Sequence, residues 1–298
     1  MNWRQFVMDL ENLNPDTVEE VFARHGAASI TYTDAGDRPV LEPAPGDAPL
    51  WADTRISALF STDIDTDAVQ DDLKRALAVS SLPRIEIDEL EDRDWEREWL
   101  KDFAPMRFGR RLWVCPGDME AADTDAITVR LDPGLAFGTG THATTALCLE
   151  WLDGIGLDGA TVLDYGCGSG ILAIAALKLG AKSAVAIDID PQAVEAAQSN
   201  ALQNGTADSL TTTINASEVN EEFDAVVANI LAGPLVELAE SIAVRVNSGC
   251  SLALSGILSG QVDEVLAAYS PWIEFEAPVF REQGGQVWAL LTGRRIEG

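Results

Sequence analysis

An apolar run that ends in Asp164 and continues into three glycines constrains this chain more than any other feature. The glycines lie at positions 166, 168 and 170, and the apolar, alanine-rich residues 171–179 that follow predict a helix. A strand, a glycine turn and a helix N-terminus in this order are typical of the ligand-binding edge of a parallel α/β sheet. Glycine allows the backbone to turn sharply and to approach a ligand closely.

The spacing of the glycines indicates which ligand is bound. A dinucleotide fingerprint, G-x-G-x-x-G, requires glycine at position 171, where this chain has Ile171. Asp164 would repel a pyrophosphate, but it suits a ligand that carries positive charge. The order D-x-G-x-G-x-G resembles the first motif of class I S-adenosylmethionine methyltransferases. A glycine-rich turn without a ligand is the structural alternative.

A second carboxylate, Asp188, lies at the end of the next predicted strand, residues 183–187. A carboxylate about 20 residues beyond the glycine turn is placed to accept hydrogen bonds from ribose hydroxyls. Asp190 and Pro191 then predict the start of a helix, because aspartate is a good N-cap and proline suits the first turn. An ordinary turn residue at the end of a strand is the alternative for Asp188.

Alternating strands and helices over residues 105–298 predict a doubly wound α/β sheet that is mostly parallel. The last predicted elements are a helix over 234–246, a strand over 251–255, a helix over 261–268 and an antiparallel closing pair, 273–276 with 286–291. Two strands that pair with each other are also predicted, at 112–116 and 126–131. His142, at the start of a predicted helix, could be a general base, but a structural capping role is favoured.

Residues 1–90 predict a separate α+β domain of ferredoxin-like type, in which strands alternate with two helices. Asp16 is the expected cap of the first helix. No catalytic constellation occurs here, so we expect a domain that recognises the substrate. Residues 91–104 predict a helical linker with Trp95, Trp99 and Phe103 on one face, and the catalytic domain is expected over 105–298.

The formal net charge is −29, and it is spread over the chain. Residues 1–105 carry 24 acidic and 10 basic side chains, and the remainder carries 25 and 10. Either a basic partner or adaptation to a salty cytoplasm would explain this excess. Direct binding of nucleic acid is disfavoured, because phosphates would be repelled. Four scattered cysteines, no signal peptide and no membrane-length apolar run predict a cytoplasmic protein, and two histidines predict no zinc site.

Several segments together resemble the PrmA family, bacterial methyltransferases of large-subunit ribosomal protein eleven. They are D-P-G-L-A-F-G-T-G-T-H over 132–142, the glycine motif, I-D-I-D-P over 187–191 and A-N-I-L-A over 228–232. The resemblance implies methylation of amino groups on that protein, up to trimethylation, with S-adenosylmethionine as methyl donor. Carried over by motif, it implies S-adenosylmethionine contacts from Thr145, Gly166, Asp188 and Asn229. The full predicted cofactor site also includes Asp164, Gly168, Phe137, Gly138 and Thr139.

Asn229 is the predicted catalytic residue, because its side-chain oxygen could orient an amine N–H at the end of a strand. Many amine methyltransferases have N-P-P-aromatic here, whereas this chain has N-I-L-A, which suggests a roomier site that suits repeated methylation. A strand-end asparagine that satisfies a turn is the alternative. Two other functions stay open: a class I methyltransferase of another protein or of a small molecule, and a non-catalytic module that binds S-adenosylmethionine.

Overall fold

A computed structural model describes residues 3–36, 53–90, 104–117, 119–131 and 142–297. The chain divides into two compact units, Met1–Trp95 and Glu96–Gly298. The predicted linker, with Trp95, Trp99 and Phe103, lies largely outside the described residues, so its helical conformation stays a prediction. The same holds for the domain boundaries at residues 90 and 105.

In the part of the first unit that the structure describes, a four-stranded antiparallel sheet packs with two helices. Its elements are β1 (Trp3–Asp9), α1 (Pro15–Arg24), β2 (Ser29–Asp34), β3 (Thr54–Ser61), α2 (Thr66–Leu77) and β4 (Ile85–Leu90). The strand order β2-β3-β1-β4, with every neighbouring pair antiparallel, confirms the ferredoxin-like prediction. Three rings, Phe6, Phe22 and Phe60, pack edge to face in the core with centroids 5.1–6.2 Å apart.

The cap of α1 differs from the expectation. Asn14, not Asp16, is the N-cap, and its side-chain oxygen accepts a hydrogen bond from the Thr17 N–H at 3.0 Å. Pro15 takes the first helical position, where its missing N–H costs no hydrogen bond. Asp16 therefore lies inside the first turn, where a carboxylate interacts favourably with the helix dipole.

The second unit begins with a small three-stranded sheet. It consists of β5 (Met106–Phe108), β6 (Leu112–Cys115) and β7 (Ile127–Arg130). The predicted pairing of residues 112–116 with 126–131 is present and parallel, and β5 pairs antiparallel with β6. The turn between β5 and β6 is fixed by the buried carboxylate of Asp153, which accepts hydrogen bonds from the backbone N–H groups of Arg110 and Arg111.

Over the described residues, the large sheet of the second unit has eight strands. Its elements in chain order are α3 (Ala143–Gly154), β8 (Thr161–Tyr165), α4 (Ile171–Lys178), β9 (Ser183–Ile187), α5 (Pro191–Asn204), β10 (Leu210–Thr213), β11 (Phe223–Asn229), α6 (Ala232–Glu237), α7 (Ala239–Ala243), β12 (Val246–Leu258), α8 (Val262–Tyr269), β13 (Ile273–Phe275), β14 (Val279–Gln283) and β15 (Gln286–Arg295). Single 3-10 turns cover Ala207–Ser209, Ala216–Glu218 and Ser259–Gln261.

The order of this sheet is β10-β9-β8-β11-β12-β15-β13, and β14 also pairs with β15. Strands β8 to β12 are parallel, whereas β15 runs antiparallel between β12 and β13. This arrangement confirms the predicted class I methyltransferase fold with an antiparallel closing strand. The carboxyl ends of β8, β9 and β11 lie along one edge, as they do in any parallel sheet.

Two predictions for the last third of the chain were wrong. The helix expected over 234–246 is two short helices, α6 and α7, and Val246 already belongs to β12, where it pairs with Phe223. The closing pair predicted between 273–276 and 286–291 is the second error, because β13 pairs with residues 293–295 of β15, whereas residues 286–290 pair with β14, a strand that was not predicted. It is joined to β15 by Gly284 and Gly285, both with positive φ, which is the backbone that a two-residue hairpin requires.

No helix within the described ranges is long and apolar enough to cross a membrane.

Candidate active site

The glycine turn after β8 has the backbone that the sequence predicts. Gly166, Gly168 and Gly170 all have positive φ, at 76°, 51° and 75°. A Cβ atom at Gly170 would lie 2.8 Å from the Cβ of Ala197, and one at Gly166 would overlap the side chain of Ile230. Other residues are therefore excluded at these positions by conformation and by space.

Asp164, near the end of β8, is fully buried. Its Oδ2 accepts a hydrogen bond from the Ala173 N–H at 3.0 Å, whereas its buried Oδ1 has no partner among the described residues. Burial raises the pKa of Asp164 to about 7; the Ala173 hydrogen bond lowers it and the charge of Asp188 raises it. A buried carboxylate oxygen without a partner, directly below a glycine turn, fits a ligand that carries positive charge.

Asp188 holds the glycine turn in place. Its Oδ2 accepts a hydrogen bond from the Gly168 N–H at 2.8 Å, and its Oδ1 accepts one from the Asp190 N–H at 3.0 Å. These bonds give Asp188 a structural role in the turn, which was the alternative left open from the sequence. Each carboxylate oxygen has a further lone pair, so both can still accept hydrogen bonds from ribose hydroxyls.

Asn229, at the end of β11, is joined to the first turn of α3. Its side-chain Nδ2 donates to the Thr145 hydroxyl over 3.2 Å. This bond orients the amide and leaves Oδ1 as an acceptor, with no hydrogen-bond partner among the described residues. Thr145 and Asn229 are 84 positions apart in sequence, yet the fold brings these two predicted site residues into direct contact.

His142 is the N-cap of α3, which agrees with the structural role favoured from the sequence. Its Nδ1 accepts from the Thr144 N–H at 3.4 Å and lies 2.8 Å from the Thr144 hydroxyl. The ring packs edge to face on Trp288 with centroids 4.7 Å apart. Burial lowers the pKa of His142, which keeps the ring neutral and able to accept these bonds near pH 7.

Exposed apolar side chains at the ends of three strands were not predicted from the sequence. Ile189, directly after Asp188, is 93% exposed, and Ile214 after β10 and Leu231 after β11 are about half exposed. Exposure of large aliphatic groups beside polar site residues is typical of a surface that covers a ligand. An apolar residue directly after a strand-ending carboxylate was the signal that could have indicated Ile189.

The predicted residues Phe137, Gly138 and Thr139 lie outside the described residues. The structure brings Asp164, Gly166, Gly168 and Asp188 together around one turn. Thr145 and Asn229 form a hydrogen-bonded pair at the end of β11, the strand next to β8 in the sheet.

Comparison with known proteins identifies the family. Residues 2–295 match the family model described as ribosomal protein L11 methyltransferase (PrmA). The chain belongs to the ribosomal protein L11 methyltransferase (PrmA) family. Relatives of that name from Shewanella woodyi and Escherichia coli are each 48% identical over 296 residues, which cover 99% of this chain and 100% of the relative.

A solved structure agrees with this assignment. The crystal structure of ribosomal protein L11 methylase from Lactobacillus delbrueckii subsp. bulgaricus superimposes with a TM-score of 0.59 and 34% identity, and it covers 65% of this chain and 100% of that chain. Membership of the PrmA family confirms the predicted enzyme class, a methyltransferase that uses S-adenosylmethionine. The individual site residues stay predictions.

Proposed function

We propose that this enzyme methylates amino groups of ribosomal protein L11, on lysines and at the N-terminus, up to the trimethylated state. The names of relatives that match over the full chain support this substrate. The observation that carries the proposal is the Asn229–Thr145 pair beside the glycine turn, because it presents an oriented carbonyl oxygen where an amine could be held.

S-adenosylmethionine, when bound, supplies an electrophilic methyl group on a sulfonium. We assign its binding to Asp164 for the positive charge, to the turn at Gly166 and Gly168 for close backbone approach, and to Asp188 for the ribose hydroxyls. Thr145 and the predicted residues Phe137, Gly138 and Thr139 complete this assignment. The fit rests on the Asp164 Oδ1, which has no hydrogen-bond partner among the described residues, and on a turn where a Cβ would overlap Ile230.

We assign the exposed apolar side chain after β9, Ile189, to the same ligand site. Ile189 offers aliphatic surface that would cover a flat ring, with Ile214 after the neighbouring strand. The burial of this surface by a ligand is favourable at about 25 cal/mol per Å².

Asn229 positions the amine in this mechanism. A lysine amine has a pKa of about 10.4, so its neutral form costs about 4.6 kcal/mol at pH 7. Water takes that proton before the amine binds, and in the first two methyl transfers the Asn229 Oδ1 then accepts a remaining N–H; the neutral dimethylated amine has none to donate. This bond directs the nitrogen lone pair toward the methyl group, which is catalysis by orientation.

We propose that the substrate is L11 that is free of the ribosome, in the cytoplasm. The net charge of −29 supports a free protein substrate, since ribosomal RNA would repel so acidic an enzyme. We further propose that residues 1–90 select the substrate and residues 105–298 carry the chemistry. The described candidate ligand and catalytic groups all lie after residue 141, which supports this division.

The test is incubation of the enzyme with isotope-labelled S-adenosylmethionine and purified L11, followed by mass spectrometry of the modified residues. We expect label on lysines and on the N-terminus of L11, and much less on intact ribosomes. Label on other ribosomal proteins only, or on a small molecule only, would contradict the proposed substrate.

A further inference from the structure

The residue after Asn229 lies against two glycines, one on each side of β11. Strand β11 has β8 on one side and β12 on the other, so Ile230 follows the end of the strand between these two neighbours. A Cβ atom at Gly166, after β8, would overlap the Cγ2 methyl of Ile230. A Cβ atom at Gly256, in β12, would overlap the Ile230 carbonyl oxygen and lie 2.7 Å from its carbonyl carbon. The side chain of Ile230 is therefore fitted to one glycine and its backbone to the other.

A β-bulge in β12 places the second glycine beside the end of β11. The register of β12 with β15 shifts between residues 254 and 257, where Ser255 and Gly256 lie opposite a single residue of β15. Gly256 has a φ of +86°, and the buried Ser255 hydroxyl donates to the Ala289 carbonyl at 2.8 Å. Ser255 is also the residue of β12 that pairs with Asn229. The bulge thus lets the backbone that leaves Asn229 approach β12 closely.

We propose that Ile230 is a positioning residue for the proposed methyl transfer. Fitted between Gly166 and Gly256, it fixes the backbone that carries Asn229 relative to the turn that we assign to the methyl donor. Thr145 sets the rotation of the Asn229 amide, whereas Ile230 sets its position. A shift of about 1 Å between the reacting groups can lower a rate about 100-fold. This role rests on the proposed function, because it requires that Asn229 holds the amine.

Two substitutions of Ile230 separate positioning from burial. Valine keeps the Cγ2 methyl that faces Gly166 and shortens the other branch, whereas leucine keeps the volume but has no branch at Cβ. We expect Ile230→Leu to lower kcat for methylation of L11 about tenfold and to change KM for L11 less than about twofold, whereas Ile230→Val retains most of kcat. Burial alone would make valine, the smaller side chain, the more harmful change. An unchanged kcat in Ile230→Leu, or an equal loss in Ile230→Val, would overturn the proposal.

Calorimetry with S-adenosylhomocysteine shows whether the donor site stays intact. Ile230→Leu should bind it within about threefold of the unmodified enzyme, because the carboxylates and the turn backbone are unchanged. An affinity that falls as much as kcat would overturn the proposal, since Ile230 would then support the donor site and not Asn229. Ile242→Leu is the control: Ile242 is fully buried in the same apolar cluster, but it lies in α7, near the start of β12. It should leave kcat unchanged, and a loss like that of Ile230→Leu would overturn the proposal too.

A matched pair of glycine variants tests the backbone side of Ile230. Gly256→Ala adds a Cβ at φ +86° against the Ile230 carbonyl, whereas Gly205→Ala adds one at φ +67° with nothing within 4 Å. Both should unfold at a lower temperature, because a side chain is strained at positive φ, but only Gly256→Ala should lower kcat in the folded state. Equal kcat values for the two folded variants would overturn the proposal, and the Ile230 variants decide if Gly256→Ala does not fold. Absence of methyl transfer to L11 by the unmodified enzyme would instead overturn the proposed function.

Discussion

In the proposed mechanism, the hydrogen bond from Asn229 to Thr145 decides which end of the Asn229 amide meets the substrate. With Nδ2 held by the Thr145 hydroxyl, Oδ1 is the atom available to an amine N–H. If the bond is lost, the amide can turn and present a donor, which cannot hold an amine in the reactive orientation. The proposed mechanism therefore depends on Thr145, a residue that need not touch the reacting atoms.

Thr145→Val removes that acceptor at nearly constant volume. We expect kcat for methylation of L11 to fall at least about tenfold, because the orientation of Asn229 contributes in the transition state. Thr145→Ser keeps the hydroxyl and should retain most of the activity. Steady-state kinetics with both variants and calorimetry with S-adenosylhomocysteine check this; equal kcat values for the valine and serine variants would contradict it.

The protonation of Asp164 links the site to stability. Burial raises its pKa to about 7, whereas the same carboxyl in an unfolded chain titrates near 4. Between these pH values the native state keeps a proton that the unfolded state has lost. This group therefore makes the free energy of unfolding decrease as pH rises from about 4 to about 7.

Asp164→Asn removes this titration and keeps the shape of the side chain. When no ligand is present, the free energy of unfolding of the variant minus that of the unmodified enzyme should be larger at pH 8 than at pH 4.5. Urea unfolding at the two pH values measures the difference. The Asp164→Asn variant should also bind S-adenosylhomocysteine more weakly, because the negative charge is gone. Parallel pH profiles of the two proteins would show that Asp164 is ionised in the native state throughout.

At the scale of elements, the Asp153 side chain on α3 forms hydrogen bonds with the β5–β6 turn of the small sheet. Its buried carboxylate accepts from the Arg110 N–H at 2.5 Å and from the Arg111 N–H at 3.3 Å. Gly109, with φ +70°, brings the turn so close that a Cβ there would lie 2.5 Å from the same oxygen. The turn between β5 and β6 is thereby held against α3.

Asp153→Ala should lower the free energy of unfolding by about 2–3 kcal/mol, because two backbone donors lose a charged acceptor. Glu150→Ala, on the same helix, removes only a half-exposed ion pair and should cost less than about 1 kcal/mol. Urea denaturation compares the two. A smaller effect for Asp153→Ala than for Glu150→Ala would show that water replaces the carboxylate in the turn.

Local patterns predicted those elements whose signals lie close together in sequence. Gly166, Gly168, Gly170 and the strand end at Asp188 were found because a turn and its neighbouring strand follow each other within about 25 residues. The burial of Asp164 and the contact between Asn229 and Thr145 were not predictable, since both arise from packing between distant strands and helices.

The errors have the same physical origin. Residues 234–246 have helical composition, but pairing of Val246 with Phe223 extends β12 and ends the helix early. Strand β14 is short and mostly exposed, so its side chains show no apolar alternation. Its Gly284-Gly285 turn was a usable signal, because glycine pairs between two short runs are typical of hairpins.

For the whole molecule, the net charge of −29 destabilises the folded state. Like charges spread over both halves of the chain repel each other more in the compact state than in the unfolded state. Screening at high ionic strength reduces this repulsion, because the Debye length falls from about 10 Å at 0.1 M salt to about 3 Å at 1 M.

The enzyme should therefore unfold at a higher temperature in 1 M than in 0.1 M potassium chloride. Chloride is chosen because sulfate and phosphate also stabilise proteins by exclusion from the surface. Calorimetry at pH 7.5 measures the shift, and repetition at pH 4.5, where many carboxylates are protonated, should give a smaller one. Equal shifts at the two pH values would mean that charge repulsion is not the cause.

The last prediction for the whole molecule is that one unit selects the substrate and the other carries the chemistry. Each unit has its own hydrophobic core; the first is built around Phe6, Phe22 and Phe60, and the second surrounds its eight-stranded sheet. A fragment of residues 105–298 retains Asp164, Asp188, Thr145 and Asn229, so we expect it to bind S-adenosylhomocysteine with near-normal affinity. It should fail to methylate L11 at concentrations at which the full chain is active, because the recognition surface is absent.

Calorimetry and methyl-transfer assays on the folded fragment measure both quantities. Methylation of L11 by the fragment with the kcat/KM of the full chain would show that residues 1–90 do not select the substrate.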